Sequence, residues 1–146
     1  MKVEFHNMVV GRDWGWICEN LPLSLSEDLR GIIAVDVDKQ ERIAAVILYG
    51  WTENSVMAHV IIKNPMVLRH GLIKEFKRYV FDVCKRSIVI GTVPSDNHKA
   101  LRFDTHLGFK EIHRIKDGYE IGNDIVIMEM RSDGQQQESA RSASSA

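Results

Sequence analysis

The sequence predicts a single mixed α/β domain whose sheet is antiparallel at both ends and parallel at its centre. Three observations carry this. Runs rich in β-branched residues, broken by polar turns, follow one another between residues 32 and 63. From residue 67 the apolar residues recur instead at spacings of three and four, one face of a helix. A short apolar run follows that helix, and strand, helix, strand in succession is the arrangement of a parallel pair joined by a crossover.

Each element has its local reason. Residues 1–10 hold Val3, Phe5 and Met8-Val9-Val10 and suit a short strand. Residues 11–22 mix Trp14 and Trp16 with Gly and Asp and read as irregular chain or a short helix. Ser26 followed by Glu27 and Asp28 suggests one helical turn with a serine cap, ended by Gly31. Residues 32–37 and 42–49 flank the polar turn 38–41, a β-hairpin, and 56–63 form a third strand that stops at Asn64-Pro65. Over 67–85, Leu68, Leu72, Ile73, Phe76, Tyr79, Val80 and Val83 define one long amphipathic helix. Residues 87–93 form a buried strand. Asp96 or Asn97 caps a helix that Gly108 ends, and 109–115 and 124–130 are two last strands around a turn at 116–118.

Composition bounds the function. The 146 residues carry 45% hydrophobic and 27% charged side chains, as a globular domain does, which excludes a wholly disordered or collagen-like chain. Nineteen Lys and Arg balance 20 Asp and Glu, so no general affinity for nucleic acid is expected. No run approaches 18 apolar residues and the N-terminus lacks a signal-peptide core, so neither a membrane partner nor secretion is expected, and the cytoplasm is the expected location. Cys18 and Cys84 lack any C-x-x-C spacing and read as buried thiols of a reducing compartment. His6, His106 and His113 have no ligand spacing, and no metal is expected. The domain is expected over 1–131. Residues 132–146, built of Ser, Ala, Gln and Gly, are expected to be a flexible tail.

Two segments carry chemical content. Pro65 to Leu72 (PMVLRHGL) runs from a turn into a helix through one glycine, where backbone N–H groups suit a phosphate and Arg69 and His70 add charge. Ser95 to Phe109 contains Asn97, Ala100, Phe103, Gly108 and Phe109 at the spacing N-x-x-A-x-x-hydrophobe…G-F. Together with the closing Asp124-x-x-x-Met128, these segments resemble the GNAT superfamily of acyl-CoA-dependent N-acyltransferases over about residues 31–130. The resemblance implies a GNAT-like fold in which the strands 56–63 and 87–93 are parallel and splay apart around the pantetheine arm. It implies an N-acetyltransferase using acetyl-CoA and an amine acceptor, with a homodimer compatible.

The resemblance also assigns residues. Arg69, His70, Gly71 and Leu72 would hold the diphosphate. Backbone amides of Ile61, Ile62 and Lys63 would meet the acyl carbonyl and pantetheine, and Asn97 and Phe103 would line the arm. His59, in mid-strand, is a candidate general base, with Glu53 a second. The three tryptophans are a candidate aromatic wall for the acceptor. Departures from the pattern are clear. Leu68 stands where a polar residue is usual, Ile73 where a small one is, and Asp104 where the family places a tyrosine acid. Asp104, ionised as an ordinary aspartate, is expected to turn toward Lys99, His98 or solvent. The Arg102-Phe103 pair and the compact chain are similar to acetyltransferase-like proteins of tailed bacteriophages. The competing expectation is a catalytically silent module of the same fold, its channel plugged by Leu68, Ile73 or a tryptophan.

Overall fold

A computed structural model describes residues 1–21 and 23–132; the predicted tail, from Ser132 on, lies almost wholly outside the described residues. One seven-stranded sheet has the order β1-β2-β3-β4-β5-β7-β6. Its strands are β1 (Val3–Asn7), β2 (Arg30–Asp36), β3 (Glu41–Tyr49), β4 (Ser55–Ile62), β5 (Ile88–Pro94), β6 (Lys110–Glu120) and β7 (Asn123–Arg131). Every neighbouring pair is antiparallel except β4 with β5. That parallel pair is short. Only Ser55, Val56 and Met57 find partners, in Ile88, Val89 and Ile90. Beyond them β4 continues to Ile62 and β5 to Pro94 without pairing, so the two strands diverge as expected from the sequence.

The sheet is covered on both faces. The larger core joins Val46, Leu48, Val56 and Val89 with Leu72, Phe76, Tyr79 and Val80 of the segment after β4, and with Leu107 and Phe109. The smaller core gathers Ile33, Ala45, Ile47 and Ile61 beneath Ile17 of α1 (Val10–Asn20). Alternate residues of β3 thus serve opposite cores, the period-2 logic that a strand buried on both faces obeys. Trp14 and Trp16 pack against the smaller core and Trp51 against the larger, so the expected aromatic wall does not form. Trp51 is instead held at the surface: its indole N–H donates to Asp28 O at 2.7 Å, and Arg30 and Arg86 lie 5.8 and 5.2 Å from its ring centre.

Several local expectations are corrected. Gly31 ends no helix; it lies within β2, whose backbone there passes close to Val46. The single helix expected over 67–85 is three pieces: a 3₁₀ segment Pro65–His70, α2 (Leu72–Lys77) and a π-helical stretch Arg78–Val83. Gly71, at φ +93°, makes the break. Apolar spacing does not register one left-handed residue that leaves the buried face nearly in phase. The expected turn at 116–118 lies inside β6. The chain reverses at Ile121-Gly122 after an irregularity between Ile115 and Glu120, where Asp117 adopts φ +54°. Cys18 is exposed and Cys84 half-buried, so neither is a fully buried thiol. The edge strand β6 is exposed throughout and shows Ile112, Ile115 and Tyr119 to solvent, an apolar stripe that its mixed sequence does not advertise. Among the described residues no helix is long and apolar enough to cross a membrane.

Candidate functional site

The divergence of β4 from β5 opens a groove at the centre of the sheet. One lobe, of about 350 Å³, lies between Ala58-His59-Val60 and Gly91–Pro94 and is closed by Ala100, Asp104, Phe109 and Tyr119. The other, of about 270 Å³, runs along Val60–Lys63 toward Lys99, Phe103 and the Asn20-Leu21 end of α1. Leu21, Val60, Asn97, Ala100 and Asp104 border both lobes.

Local chemistry builds each wall. Asn97 caps α3 (His98–Leu107): its Oδ1 accepts from Ala100 N at 3.1 Å, which starts the helix at the groove mouth. Gly108, at φ +114°, stops it. Phe76 and Phe109 meet edge to face at 5.9 Å and lock the end of α3 to α2 across the larger core. The β4 wall offers free backbone amides. Lys63 N–H donates to Ile43 O at 2.8 Å, so its amide is turned toward β3. Antiparallel hydrogen bonding alternates along a strand, so the Ile61 and His59 amides also face β3 and those of Val60 and Ile62, beyond the stretch paired with β5, face the groove. Of the three backbone donors expected from the sequence, the register therefore presents Ile62 and withholds Ile61 and Lys63.

Ile61, Ile62, Lys63, Asn97, Phe103 and His59 all line the groove. His59 stacks on Tyr49, with ring centres 4.8 Å apart and planes inclined by 15°. Burial holds its pKa below the ordinary histidine value, so the ring is neutral at pH 7 and can accept a proton. Arg69, His70, Gly71 and Leu72 lie apart from these, on the turn after β4. A Cβ at Gly71 would meet nothing within 4 Å, so that turn presents open backbone, while Leu72 is buried in the core. Leu68 and Ile73, the two departures in that turn, pack against the larger core and border neither lobe. Glu53 is exposed in the turn before β4. Among the described residues no group of three or more His, Cys, Asp or Glu could hold a metal ion.

Asp104 departs from its expectation. It turns neither to Lys99 nor to His98 nor out to solvent, but is half-buried on the groove wall. Its side chain has no hydrogen bond or ion pair among the described residues, and the Lys99 ammonium lies over the Phe103 ring, 5.8 Å from its centre. Burial raises the Asp104 pKa from the usual carboxylate range to about 6. One turn of helix sets this: residue 104 lies four after Ala100 and so falls on the same face as Ala100. The identity of the residue could be read from the sequence, but not its burial.

That shift has a thermodynamic sign. The folded pKa lies above the unfolded one, so the carboxyl's favourable contribution is complete below about pH 4 and is lost as pH rises through about 6. Asp104→Asn removes the cost of an ionised buried carboxylate. Its stability is expected to exceed that of the parent by about 2 kcal/mol at pH 7–8, after allowance for partial exposure, and to match it at pH 4. Urea denaturation at the two pH values measures this; an equal difference at both would contradict it.

No family model matches the chain, and no curated protein matches it in sequence. Its structure does match solved ones. Spermidine/spermine N-acetyltransferase SpeG from Vibrio cholerae, in a complex with manganese ions, superposes with a TM-score of 0.73 at 16% identity over 94% of this chain and 96% of that one. An acetyltransferase assigned to the GNAT family from Desulfovibrio desulfuricans gives a TM-score of 0.69 at 14% identity over 89% and 99%. The chain therefore has the GNAT acyltransferase fold, with its parallel β4–β5 pair at the centre of a mostly antiparallel sheet. At such identities the likeness extends to the fold and assigns no residue a role.

Proposed function

We propose that the protein is an acyl-CoA-dependent N-acyltransferase, most simply an N-acetyltransferase that moves the acetyl group of acetyl-CoA to an amine. The observation that carries this is the open groove where β4 and β5 part, bordered by strand amides with no partner strand. An extended pantetheine arm is a chain of amides and can pair with them as an added strand would. A silent module predicts that Leu68, Ile73 or a tryptophan fills that space; all of them pack elsewhere, which supports the enzyme.

The chemistry follows from the lining. A neutral amine attacks the thioester carbonyl carbon, and the carbonyl oxygen gains negative charge. The Val60 or Ile62 N–H, fixed by the sheet, stabilises it, and positioning in the groove supplies much of the remaining acceleration. His59, neutral and half-buried, takes the proton that the amine sheds. Arg69 and His70, with the open backbone at Gly71, receive the diphosphate, and buried Leu72 anchors that turn to the core. Asn97 holds the N-terminus of α3 against the pantetheine arm, and Phe103 supplies apolar wall. A homodimer would use the exposed edge strand β6. The two free cysteines fit a cytoplasmic setting. A bacteriophage origin, with action in the host cytoplasm, rests on the compact chain and the Arg102-Phe103 pair alone.

Isothermal titration of the full chain with acetyl-CoA and with CoA tests the proposal. Saturable binding is expected for both, weakened several-fold by Asn97→Ala, together with thiol release from acetyl-CoA when an amine is added. Spermidine, the acceptor named for SpeG, is the first amine to assay. Absence of both heat and thermal shift at millimolar acetyl-CoA would retire the proposal.

A further inference from the structure

The proton that leaves the amine fixes where the amine must lie. His59, the proposed base, borders the larger lobe of the groove and not the smaller. The amine therefore reaches the thioester through the larger lobe, while the donor's arm runs along Val60–Lys63 and α3 in the smaller one. The surroundings of His59 then decide which amine fits.

Those surroundings are a sheet face without a helix. Val89, Val126, Met128 and Met130 point into the larger core, so the residues that alternate with them, Ile90, Ile125 and Ile127, lie on the opposite face. Met57, which pairs with Ile90, shares that face with His59, two residues on. The smaller core beneath α1 ends at β4: Met57, Ile90, Ile125 and Ile127 are half-buried and belong to neither core. The larger lobe opens onto this bare face at Thr92 and Ile125, with Leu21 reaching it from α1 and Tyr119, 61% exposed, from β6.

Charge narrows the choice. The only carboxyl that borders the groove is that of Asp104, on the α3 wall. Glu129, the acid that β7 places on the bare face, accepts from Arg131 Nε at 3.1 Å. Lys63 and Lys99 border the smaller lobe. A second ammonium on the acceptor thus finds no free carboxylate on the bare face and two like charges along the groove, whereas an apolar body finds a surface left uncovered.

We infer that the acceptor is a monoamine with an apolar, flat body, which lies on the bare face of β5 and β7 while its nitrogen meets His59. The inference rests on the acyltransferase reading above. It sets this chain apart from the polyamine acceptors named for SpeG.

The test measures thiol release from acetyl-CoA by the full-length protein with phenethylamine, ethylamine and spermidine. Ethylamine has the reacting group without the body. Burial of the phenyl ring is expected to place kcat/KM for phenethylamine about 30-fold above that for ethylamine, with spermidine no better than ethylamine. Two variants at exposed positions locate the body without threatening the fold. Tyr119→Ala should raise KM for phenethylamine about fivefold at unchanged kcat and leave the other two amines within twofold. Thr92→Glu puts a carboxylate beside Ile127, its neighbour on β7, and should raise kcat/KM for spermidine about tenfold while lowering it for phenethylamine. Spermidine preferred by the parent protein overturns the inference, and so does transfer to none of the three amines. Equal effects of Tyr119→Ala on all three overturn it as well. So does a Thr92→Glu protein whose oligomeric mass changes while its order of amines does not, which gives the bare face to a second copy of the chain. If the parent protein binds no acetyl-CoA by titration, the acyltransferase reading itself fails, an outcome distinct from all of these.

Discussion

Replacing Asp13 with alanine is expected to destabilise the protein by about 3 kcal/mol, read as a lowered urea midpoint at unchanged slope. Asp13 is fully buried in the first turn of α1. One oxygen accepts from Val9 N–H at 2.8 Å and from Arg12 at 3.0 Å, and the other accepts from Arg42 Nε at 3.1 Å. Val9, the N-cap, supplies no side-chain cap of its own, so Asp13 does that work from inside the helix. Arg42, from β3, also donates to Arg12 O at 2.8 Å and pins the helix to the sheet. Deletion strands both guanidinium groups. They are partly exposed and water can recover some of the loss, which puts the effect at the lower end of the range for broken buried pairs.

The pH dependence carries the same argument with opposite sign to Asp104. Burial alone would raise the Asp13 pKa, but the hydrogen bonds from Arg12, Val9 N–H and Arg42 outweigh it, and the net direction is down. Its stabilisation is therefore present above the ordinary carboxylate range and is lost as pH falls through the lowered value. The gap between the parent and Asp13→Asn should close below about pH 4. Because α1 ends at Asn20 and Leu21 on the groove, the same variant should also weaken acetyl-CoA binding.

Much of this architecture can be read along the chain, and the parts that cannot share a cause. The hairpin 32–49, the strand 56–63 and the apolar strand 87–93 follow from runs of β-branched residues, and their parallel central pair from the helix between them. Asn97, Ala100, Phe103 and Gly108 fall at the spacing that builds α3, so the groove's α3 wall is legible as well. Asp104 and Gly31 are not. Burial of Asp104 depends on β4 and β5 separating beside it, and Gly31 mimics a helix stop until β3 is placed against it. Periodicity reports which face of an element is apolar. It is silent about backbone approaching backbone and about a polar side chain left facing a gap.

Gly31→Ala is expected to be the most damaging single methyl that can be added to the fold, at about 3 kcal/mol or more. The cause is contact, since Gly31 is not at a positive φ. A Cβ there would stand 2.2 Å from Val46 O, and 3.3 Å from the Val46 carbonyl carbon. The neighbour is main chain of a central strand, with no flexible end to move aside. Relief requires β2 to lift from β3, yet Ile32, Ile33 and Ala34 are buried beside it and Gly31 O accepts from Met8 N–H at 2.8 Å. The matched control is Gly15→Ala in α1, where an added Cβ meets nothing within 4 Å; it should be neutral or stabilising by up to about 1 kcal/mol. The strain also has a route to the groove. Gly31 is paired with Ile47, and Ile47 with His59, so three strands carry the displacement in register to the proposed base. Whatever Gly31→Ala protein folds should therefore bind CoA but transfer slowly. A Gly31→Ala melt within 1 kcal/mol of the parent would show that β2 and β3 can separate at little cost, and the close approach would then not be what requires glycine at this position.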